Sequence, residues 1–279
     1  MEVRKIIQRI SANDLDKVLA EIYNQKSREL VLIGPNLIYD KNEFINRLSY
    51  WISDYSRVYQ LTSYVSNICE KLSHLSHLNS LVLGDFEIKP IEVKKLVNLK
   101  SLTKLNLAGL HIGTSGAKYL AALPNLKILD LSDNGICNEG VRYLSWVNTL
   151  TELGLKGNDI GDKGVFYLAD LNKLTTLDLT NNEIKDTEYL SKLSSLTELY
   201  LSDNQIRDSG VDHLRNLKHL KVLQLNNCKI GNDGVKHISS LTNLTELDLA
   251  NNFITDVGAK HLKSLSHLTK LNLSNNEGS

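Results

Sequence analysis

The chain has 279 residues, and its 32 basic and 32 acidic side chains leave no net formal charge at pH 7. This balance gives no indication of a general affinity for nucleic acid or for an anionic membrane. A hydrophobic content of 42% is sufficient for a large core. No run of about 18 apolar residues marks a membrane span, and the opening segment is amphipathic rather than an apolar leader.

Residues 1–77 alternate between helix and strand patterns. Predicted helices begin near Ser11, Phe44 and Val65, and predicted strands cover residues 30–33 and 58–61. Because a stack of strands needs its first apolar edge covered, we predict that residues 1–77 form a helical N-terminal cap with one or two degenerate repeats. The alternative is an independent functional domain in this region.

From residue 78 onward, a unit of 24 residues recurs with leucines at fixed places. Its clearest copy is residues 150–160, LTELGLKGNDI, which gives the frame L-x-x-L-x-L-x-x-N-x-I. The nine copies begin at Leu78, Leu102, Leu126, Leu150, Leu174, Leu196, Leu220, Leu244 and Leu268. One step, from Leu174 to Leu196, has 22 residues instead of 24. The pattern resembles the leucine-rich repeat family over residues 78–276.

The repeat predicts a strand followed by a short helix. In residues 153–155, leucines alternate with a glycine, which is the period of a strand with one buried face. Residues 160–171 then show helical spacing behind Asp162, a candidate N-cap residue. We therefore predict the α/β class: a leucine-rich repeat solenoid, or horseshoe, with a parallel concave sheet, short convex helices and a helical N-terminal cap. Residues 78–279 would contain nine repeats, the last of them incomplete.

An asparagine occupies the ninth place of six repeats. These residues are Asn134, Asn158, Asn182, Asn204, Asn252 and Asn276. The side-chain amide can bond backbone groups of the turn that would otherwise be buried without partners. Phe86 and Leu110 cannot make this bond and Cys228 can make it only weakly, so the ladder should be weakest near the start of the array. Asn227, one residue before the ladder position, is expected to tolerate replacement by alanine.

No catalytic motif is apparent, so we predict a protein that is not an enzyme and needs no cofactor or small-molecule substrate. His213, His237 and His261 recur at 24-residue spacing, and three stacked imidazoles could bind a transition metal. Tyrosines hold the same place in other repeats: Tyr119, Tyr143, Tyr167 and Tyr189. A structural aromatic row is therefore the favoured interpretation, and no metal site is predicted.

Three cysteines, Cys69, Cys137 and Cys228, stand at unrelated positions of the repeat. An odd, scattered set is typical of reduced thiols in a reducing compartment. The predicted location is cytoplasmic, either in the producing cell or, after dedicated secretion, in a host cell.

The predicted concave face is acidic. The candidate protein-binding residues there are Asp130, Glu152, Asp178, Glu198, Tyr200, Asp203, Glu246, Asp248 and Phe253. Aspartate is also common at these places in the family, whereas Tyr200 is the one aromatic residue on its row and resembles an interface anchor. On the convex side, Trp146 is a second candidate contact, with packing of its ring onto Tyr143 as the alternative.

These features favour a protein-binding module that engages a partner with a basic surface, without nucleic-acid binding or membrane insertion. The convex pattern I-G-D-x-G-V-x-Y-L resembles secreted bacterial effectors with ribonuclease-inhibitor-like or GALA-like repeats. That resemblance implies a virulence effector that binds a host protein. The alternative is an adaptor or ligase recruiter with a further activity in the N-terminal region. An adhesin of the internalin type ranks third, since its 22-residue repeats and leader are missing.

Overall fold

The computed structural model describes residues 7–35, 58–61 and 67–276. The helix predicted near Phe44 lies outside these residues. The chain forms two compact units, residues 1–134 and residues 135–279. In the described parts of the chain, no helix combines the length and the apolar character that crossing a membrane requires.

The first unit contains a sheet of parallel strands. Its strands are β1 (Ile7–Ile10), β2 (Glu29–Ile33), β3 (Val58–Leu61), β4 (Ser80–Gly84), β5 (Lys104–Asn106) and β6 (Ile128–Asp130). Their order in the sheet is β1-β3-β2-β4-β5-β6. Since β3 lies between β1 and β2, the N-terminal strands do not follow one another as simple repeats do. The sequence patterns indicated β2 and β3 but did not reveal β1, and the boundary at residue 77 stays a prediction.

The helices of the first unit bury apolar residues against this sheet. Among the described residues of this unit they are α1 (Ala12–Asn24), α2 (Ile68–Leu72), a 3-10 helix (Pro90–Asn98) and α3 (Gly113–Leu120). Ser11 caps α1 as predicted, because its Oγ accepts a hydrogen bond of 3.2 Å from the N–H of Asp14. The apolar face of α1, which includes Leu15 and Ile22, is buried.

The second unit repeats one pattern, a three-residue strand followed by a short helix. Its strands are β7 (Glu152–Gly154), β8 (Thr176–Asp178), β9 (Glu198–Tyr200), β10 (Val222–Gln224), β11 (Glu246–Asp248) and β12 (Lys270–Asn272). They are parallel and adjacent in chain order. Each central leucine pairs with the next, from Leu153 to Leu271, so the predicted repeat frame is confirmed. All six are buried except Leu271, which is 46% exposed.

The helices of the second unit are short. They are α4 (Cys137–Leu144), α5 (Asp162–Leu168), α6 (Arg207–Asp212), α7 (Asn232–Ile238) and α8 (Asp256–Ala259), with 3-10 helices at Tyr189–Lys192, His213–Asn216 and Lys260–Ser264. The repeat with 22 residues has only the 3-10 helix Tyr189–Lys192 in this place. The fold class, an α/β leucine-rich repeat solenoid, is confirmed.

The asparagine ladder forms as predicted. Asn182 is its best example, since its Oδ1 accepts hydrogen bonds from the N–H groups of Ile160 (2.9 Å) and Asn158 (3.1 Å). Its Nδ2 donates to the carbonyl oxygens of Leu155 (2.9 Å) and Leu179 (3.0 Å). The side chain thus joins two successive repeats. Cys228 occupies the ladder position of its repeat and takes over only the donor role of the asparagine amide. Its Sγ lies 3.2 Å from the carbonyl oxygen of Leu201.

The candidate N-cap residue of the repeat unit, Asp162, bonds the following repeat and not its own helix. Asp162 does not cap its own helix, whose N-cap residue is Gly161. Its Oδ1 instead accepts from the N–H groups of Lys185 (2.8 Å) and Asp186 (2.9 Å) in the following repeat. Sequence spacing reveals a polar residue near a helix start, but it does not reveal which repeat that residue serves.

Candidate protein-binding face

The sheet of the second unit has one face that is free of helices. On β7 to β11 the central leucine is buried, while the residues before and after it are partly exposed on the opposite face. We call this surface the concave face; it is formed by Glu152, Gly154, Thr176, Asp178, Glu198, Tyr200, Val222, Gln224, Glu246 and Asp248. It carries five carboxylates and no basic side chain.

Tyr200 lies in the middle of this acidic surface. Strand pairing places it beside Asp178 on one side and Gln224 on the other. Its hydroxyl donates a hydrogen bond of 2.9 Å to Oε2 of Glu198. Burial raises the pKa of Tyr200 well above its usual value, and the hydrogen bond and negative charge of Glu198, with the charges of Asp178 and Glu246, raise it further. The phenol therefore stays a neutral donor.

Glu152 belongs to the same electrostatic group. Partial burial raises the pKa of its carboxyl, and the charge of Glu198 raises it further. Repulsion between like charges that are already partly desolvated favours the approach of a cation. The predicted residues Glu152, Asp178, Glu198, Tyr200 and Glu246 are therefore brought together on one surface.

The acidic character ends at the last strand. Nζ of Lys270 lies 2.8 Å from Oε1 of Glu246. On the neighbouring row, Nδ2 of Asn272 donates to Oδ2 of Asp248 at 3.2 Å. These contacts partly compensate the negative charges of Glu246 and Asp248. The uncompensated carboxylates of the concave face therefore lie closer to Tyr200 than to the last strand.

The aspartates that end the strands also have a structural role. Oδ1 of Asp178 accepts a hydrogen bond of 2.9 Å from the N–H of Thr180, and Asp248 makes the same bond to Ala250 at 2.8 Å. Asp130 does so with Ser132 at 2.9 Å, but it lies in the first unit. An aspartate in this row therefore has a local structural role, and its presence alone does not indicate a binding site.

Asp203 also has a structural reason for its identity. It stands one residue before the ladder position, where all nine repeats adopt φ between 53° and 72°. The nine residues are Asp85, Gly109, Asp133, Gly157, Asn181, Asp203, Asn227, Asn251 and Asn275. Glycine, asparagine and aspartate tolerate this left-handed conformation best. The carboxylate of Asp203 also accepts a hydrogen bond of 2.9 Å from Nδ2 of Asn227.

Two further aromatic candidates are exposed. Phe253 is 57% exposed, directly after the ladder residue of its repeat. Trp146 is 63% exposed, yet its ring also packs edge-to-face on Tyr143, with 5.5 Å between ring centroids. Trp146 can therefore pack on Tyr143 and still present an exposed surface to a partner. Phe166 is a third exposed aromatic residue, which the repeat pattern did not single out; it is 50% exposed and its ring centroid lies 5.0 Å from that of Tyr189. The sequence signal for it is a phenylalanine where the adjacent repeats carry charged residues.

Some positions of the first unit that correspond to the concave face are buried. Val31 on β2 and Ser80 and Val82 on β4 are each at most 4% exposed, although they point away from the leucine core. These three positions are closed to a partner, whereas Lys104, Ile128 and Asp130 of the same unit are partly exposed.

The convex histidines pair with carboxylates. Nδ1 of His213 lies 3.0 Å from Oδ1 of Asp186, and Nδ1 of His237 lies 2.9 Å from Oδ1 of Asp212. Within residues 7–35, 58–61 and 67–276, no group of three or more histidine, cysteine, aspartate or glutamate side chains could hold a metal ion.

Comparison with known protein families identifies the repeat. Family profiles described as leucine-rich repeat match residues 98–121, 122–145, 148–206 and 218–277, and a two-copy leucine-rich repeat profile matches residues 194–237. Together these matches cover more than half of the chain. A search of curated proteins gives no significant match.

Two similar solved structures are internalins from Listeria monocytogenes. The chain is 30% identical to an internalin (inlF), with a TM-score of 0.64 over 78% of this chain and 62% of that one. It is 27% identical to an internalin C2 (inlC2), with a TM-score of 0.57 over 67% of this chain and 84% of that one. The chain thus spans less than two thirds of the first of these structures.

Proposed function

The chain belongs to the leucine-rich repeat family, and we propose that it is a non-enzymatic module that binds a protein through the concave face of its second unit. The fold presents a regular, rigid sheet with exposed side chains between buried leucines, and such sheets serve as binding surfaces in repeat proteins. The partner would carry a basic surface, because the concave face has five carboxylates.

The observation that carries this proposal is the position of Tyr200. Its ring is partly exposed, and its hydroxyl is held by Glu198 at 2.9 Å. A tyrosine whose orientation is fixed before binding loses little entropy when a partner covers it, and tyrosines are frequent anchors of interfaces. The carboxylates of Asp178, Glu198 and Glu246, which act on Tyr200 electrostatically, supply charge complementarity around this anchor.

We further propose that the protein is a bacterial virulence effector whose partner is a host protein. The convex repeat pattern resembles secreted effectors, and the similar solved structures are internalins of a bacterium. Both points support a bacterial interaction protein.

A second candidate is an extracellular adhesin of the internalin type. The 30% identity to an internalin, which extends over 78% of this chain, supports this candidate. The two candidates differ in where the protein works. Fractionation during infection would find an effector in the host cytosol and an adhesin in the medium or on the bacterial surface.

The binding proposal is tested by affinity capture from host and bacterial lysates, followed by affinity measurements with the captured partner. Tyr200→Ala should weaken binding by on the order of 2 kcal/mol, as truncation of an anchor does. Asn216→Ala, an exposed substitution on the convex side, is the matched control. Equal affinity of both variants and the unmodified chain would exclude the concave face as the binding site. If deletion of residues 1–77 from an otherwise folded protein abolished binding, the adaptor alternative would be favoured.

A further inference from the structure

Glutamates recur at every second strand along one row of the concave face. The row consists of Glu152, Thr176, Glu198, Val222 and Glu246, which strand pairing places side by side on β7 to β11. All five residues are partly exposed. Since adjacent strands lie about 4.8 Å apart, the glutamates repeat at intervals of about 9.6 Å. We call this set the glutamate row.

The first two carboxylates of the glutamate row have no internal cation beside them. In the part of the chain that the structure describes, no lysine or arginine forms an ion pair with Glu152 or Glu198. Partial burial raises the pKa of Glu152, and the charge of Glu198 raises it further, so the two carboxylates interact across Thr176. A partner with cations at matching positions would relieve this repulsion.

Basic residues border the glutamate row without interrupting it. Lys221 directly precedes β10, and Lys156 is the second residue after β7. On β12, Nζ of Lys270 lies 2.8 Å from Oε1 of Glu246 and partly compensates its charge. The row itself carries no basic residue from β7 to β11, so a cation should be attracted most strongly at Glu152 and Glu198.

The positions between and beside the glutamates can make apolar contacts. Thr176 and Val222 each stand between two successive glutamates. Tyr200 lies on the same face, two residues after Glu198, and its hydroxyl donates to Oε2 of that residue at 2.9 Å. The row is therefore flanked by one aromatic ring whose orientation is fixed.

Three kinds of partner backbone could present cations to this row, and their repeat lengths differ. A polyproline II helix has three residues per turn and rises about 3.1 Å per residue, so every third side chain faces the same way at intervals of about 9.3 Å. A β-strand brings side chains to one face at intervals of about 6.7 Å or about 13 Å. An α-helix returns to one face after seven residues, or about 10.5 Å. Over the two intervals from Glu152 to Glu246, the polyproline II repeat is shorter by about 0.6 Å and the α-helical repeat is longer by about 1.8 Å.

The chemistry of the concave face separates the same three candidates. A partner strand adds to a free sheet edge, whereas β8 to β10 are already paired on both sides. A partner α-helix lays an apolar face into a hydrophobic groove, whereas this face has five carboxylates around Tyr200 and Val222. A polyproline II segment keeps its backbone solvated and docks its prolines on aromatic side chains, so it requires neither an edge nor an apolar groove.

We propose, on the basis of the function inferred above, that the partner segment bound by the concave face is a polyproline II helix with an arginine at every third residue. The segment would cross the strands, with its arginines opposite Glu152, Glu198 and Glu246 and a proline ring against Tyr200. Arginine suits this row better than lysine, because its planar guanidinium can bond one carboxylate through two N–H groups.

The test measures binding of three labelled peptides to the full chain by fluorescence anisotropy at low salt. The in-phase peptide is an Arg-Pro-Pro triplet repeated three times. The contiguous peptide has the same composition with its three arginines adjacent, and the helical peptide is rich in alanine with arginines seven residues apart. We expect the in-phase peptide to bind about tenfold more tightly than either of the others, because its arginines alone match the spacing of the glutamates.

Two substitutions with the same change of charge separate the glutamate row from the rest of the surface. Glu198→Gln removes the central carboxylate and should weaken binding of the in-phase peptide about fivefold. Glu188→Gln, at an exposed position beside the 3-10 helix Tyr189–Lys192, is the matched control and should leave binding unchanged. Tyr200→Leu should also weaken binding, since the aromatic contact to proline is lost. Circular dichroism confirms that each variant is folded before it is used.

Several outcomes would overturn the proposal. They are equal affinity for the in-phase and contiguous peptides, tighter binding of the helical peptide, an equal loss with Glu188→Gln, and no measurable binding of the in-phase peptide. If the captured partner loses affinity with Tyr200→Ala while the peptides bind equally, the concave face remains the binding site and only the polyproline II segment is excluded. If Tyr200→Ala leaves the affinity of the captured partner unchanged, the concave-face proposal itself fails, so the two failures are distinguishable.

Discussion

Oδ1 of Asn232 accepts hydrogen bonds from the backbone N–H groups of Gly258 and Thr255, both at 3.0 Å. The side chain of one repeat therefore holds the start of the helix in the next. A Cβ atom placed on Gly258 would lie 2.4 Å from this same oxygen. The glycine is thus required because the capping side chain approaches its backbone closely, and the two residues form one structural unit.

This relationship predicts coupled mutational effects. Asn232→Ala should lower the free energy of unfolding by about 1–2 kcal/mol, as loss of a helix cap does. Gly258→Ala should also destabilise the chain, because the new methyl group meets Oδ1. In the double variant that oxygen is absent, so the loss should be smaller than the sum of the single losses. Urea unfolding of the four proteins measures this, and strict additivity would show that the close approach has no energetic consequence.

The asparagine ladder predicts a large loss at one residue. Asn182 is 9% exposed and bonds two successive repeats through both of its amide atoms. Asn182→Ala leaves buried backbone groups without partners, so the free energy of unfolding should fall by roughly 1–3 kcal/mol. Asn216→Ala, at an exposed position, is the control. Denaturation midpoints that agree between the two variants would contradict the role of the ladder.

The backbone conformation of Asn227 changes the effect that we expect from its substitution. It precedes the ladder position, and replacement by alanine was expected to be tolerated. Its φ of 54° gives a physical reason to expect a cost instead. Asn227→Ala should be less stable than Asn227→Gly by about 1 kcal/mol, since only glycine adopts this conformation without a steric penalty. Both variants lose the hydrogen bond to Asp203, so their difference isolates the backbone effect. Equal thermal midpoints would show that the strain is relieved elsewhere.

The repeat frame was predictable because leucine spacing determines both strand register and burial. The ladder followed for the same reason, since Asn182 occupies a fixed place after the strand. The capping of one repeat by Asn232 of the preceding one was not predictable, because the spacing of a single unit does not show contacts between units. The order of β1, β3 and β2 was also inaccessible, since parallel strands do not have to pair in chain order.

The candidate site was predictable only in outline. The acidic row and the exceptional Tyr200 could be found by aligning the repeats. The structural roles of Asp178 and Asp203 could not be predicted in this way. The Asx turn at Asp178 and the positive φ at Asp203 depend on backbone conformation, which residue identity alone does not fix. The hydrogen bond from Tyr200 to Glu198 depends on a side-chain rotamer, which the sequence does not specify either.

The three cysteines should differ sharply in reactivity. Cys137 is exposed, whereas Cys69 and Cys228 are buried. Burial raises the pKa of each buried thiol from 9.0 to about 12, so neither forms the reactive thiolate near pH 8. Iodoacetamide should therefore modify one thiol of the native chain, Cys137, and all three in denaturant, as read by mass spectrometry. Modification of Cys69 as fast as that of Cys137 in the native protein would contradict its burial.

The same thiols predict a loss of stability in alkali. Their folded-state pKa is raised, so they bind protons more tightly in the folded chain than in the unfolded one. Their contribution to stability is complete below the ordinary pKa of 9.0 and is lost as the pH rises towards about 12. Replacement of Cys69 by alanine should flatten the dependence of the urea midpoint on pH in this window. An unchanged slope would show that other groups, such as tyrosines, dominate alkaline unfolding.

The concave face predicts a specific kinetic effect on partner binding. Charge reversal at Asp178 and Glu198 should mainly slow association, because the acidic surface attracts a basic partner over several ångströms before contact. The effect should shrink with added salt, since mobile ions screen charges beyond about 10 Å at moderate ionic strength. Tyr200→Phe in the same assay keeps the ring but removes the donor to Glu198, so it should chiefly raise the dissociation rate. Surface plasmon resonance at two salt concentrations separates the two rates. A slower association that is insensitive to salt would mean that the charge reversals act by changing the sheet and not by altering long-range attraction.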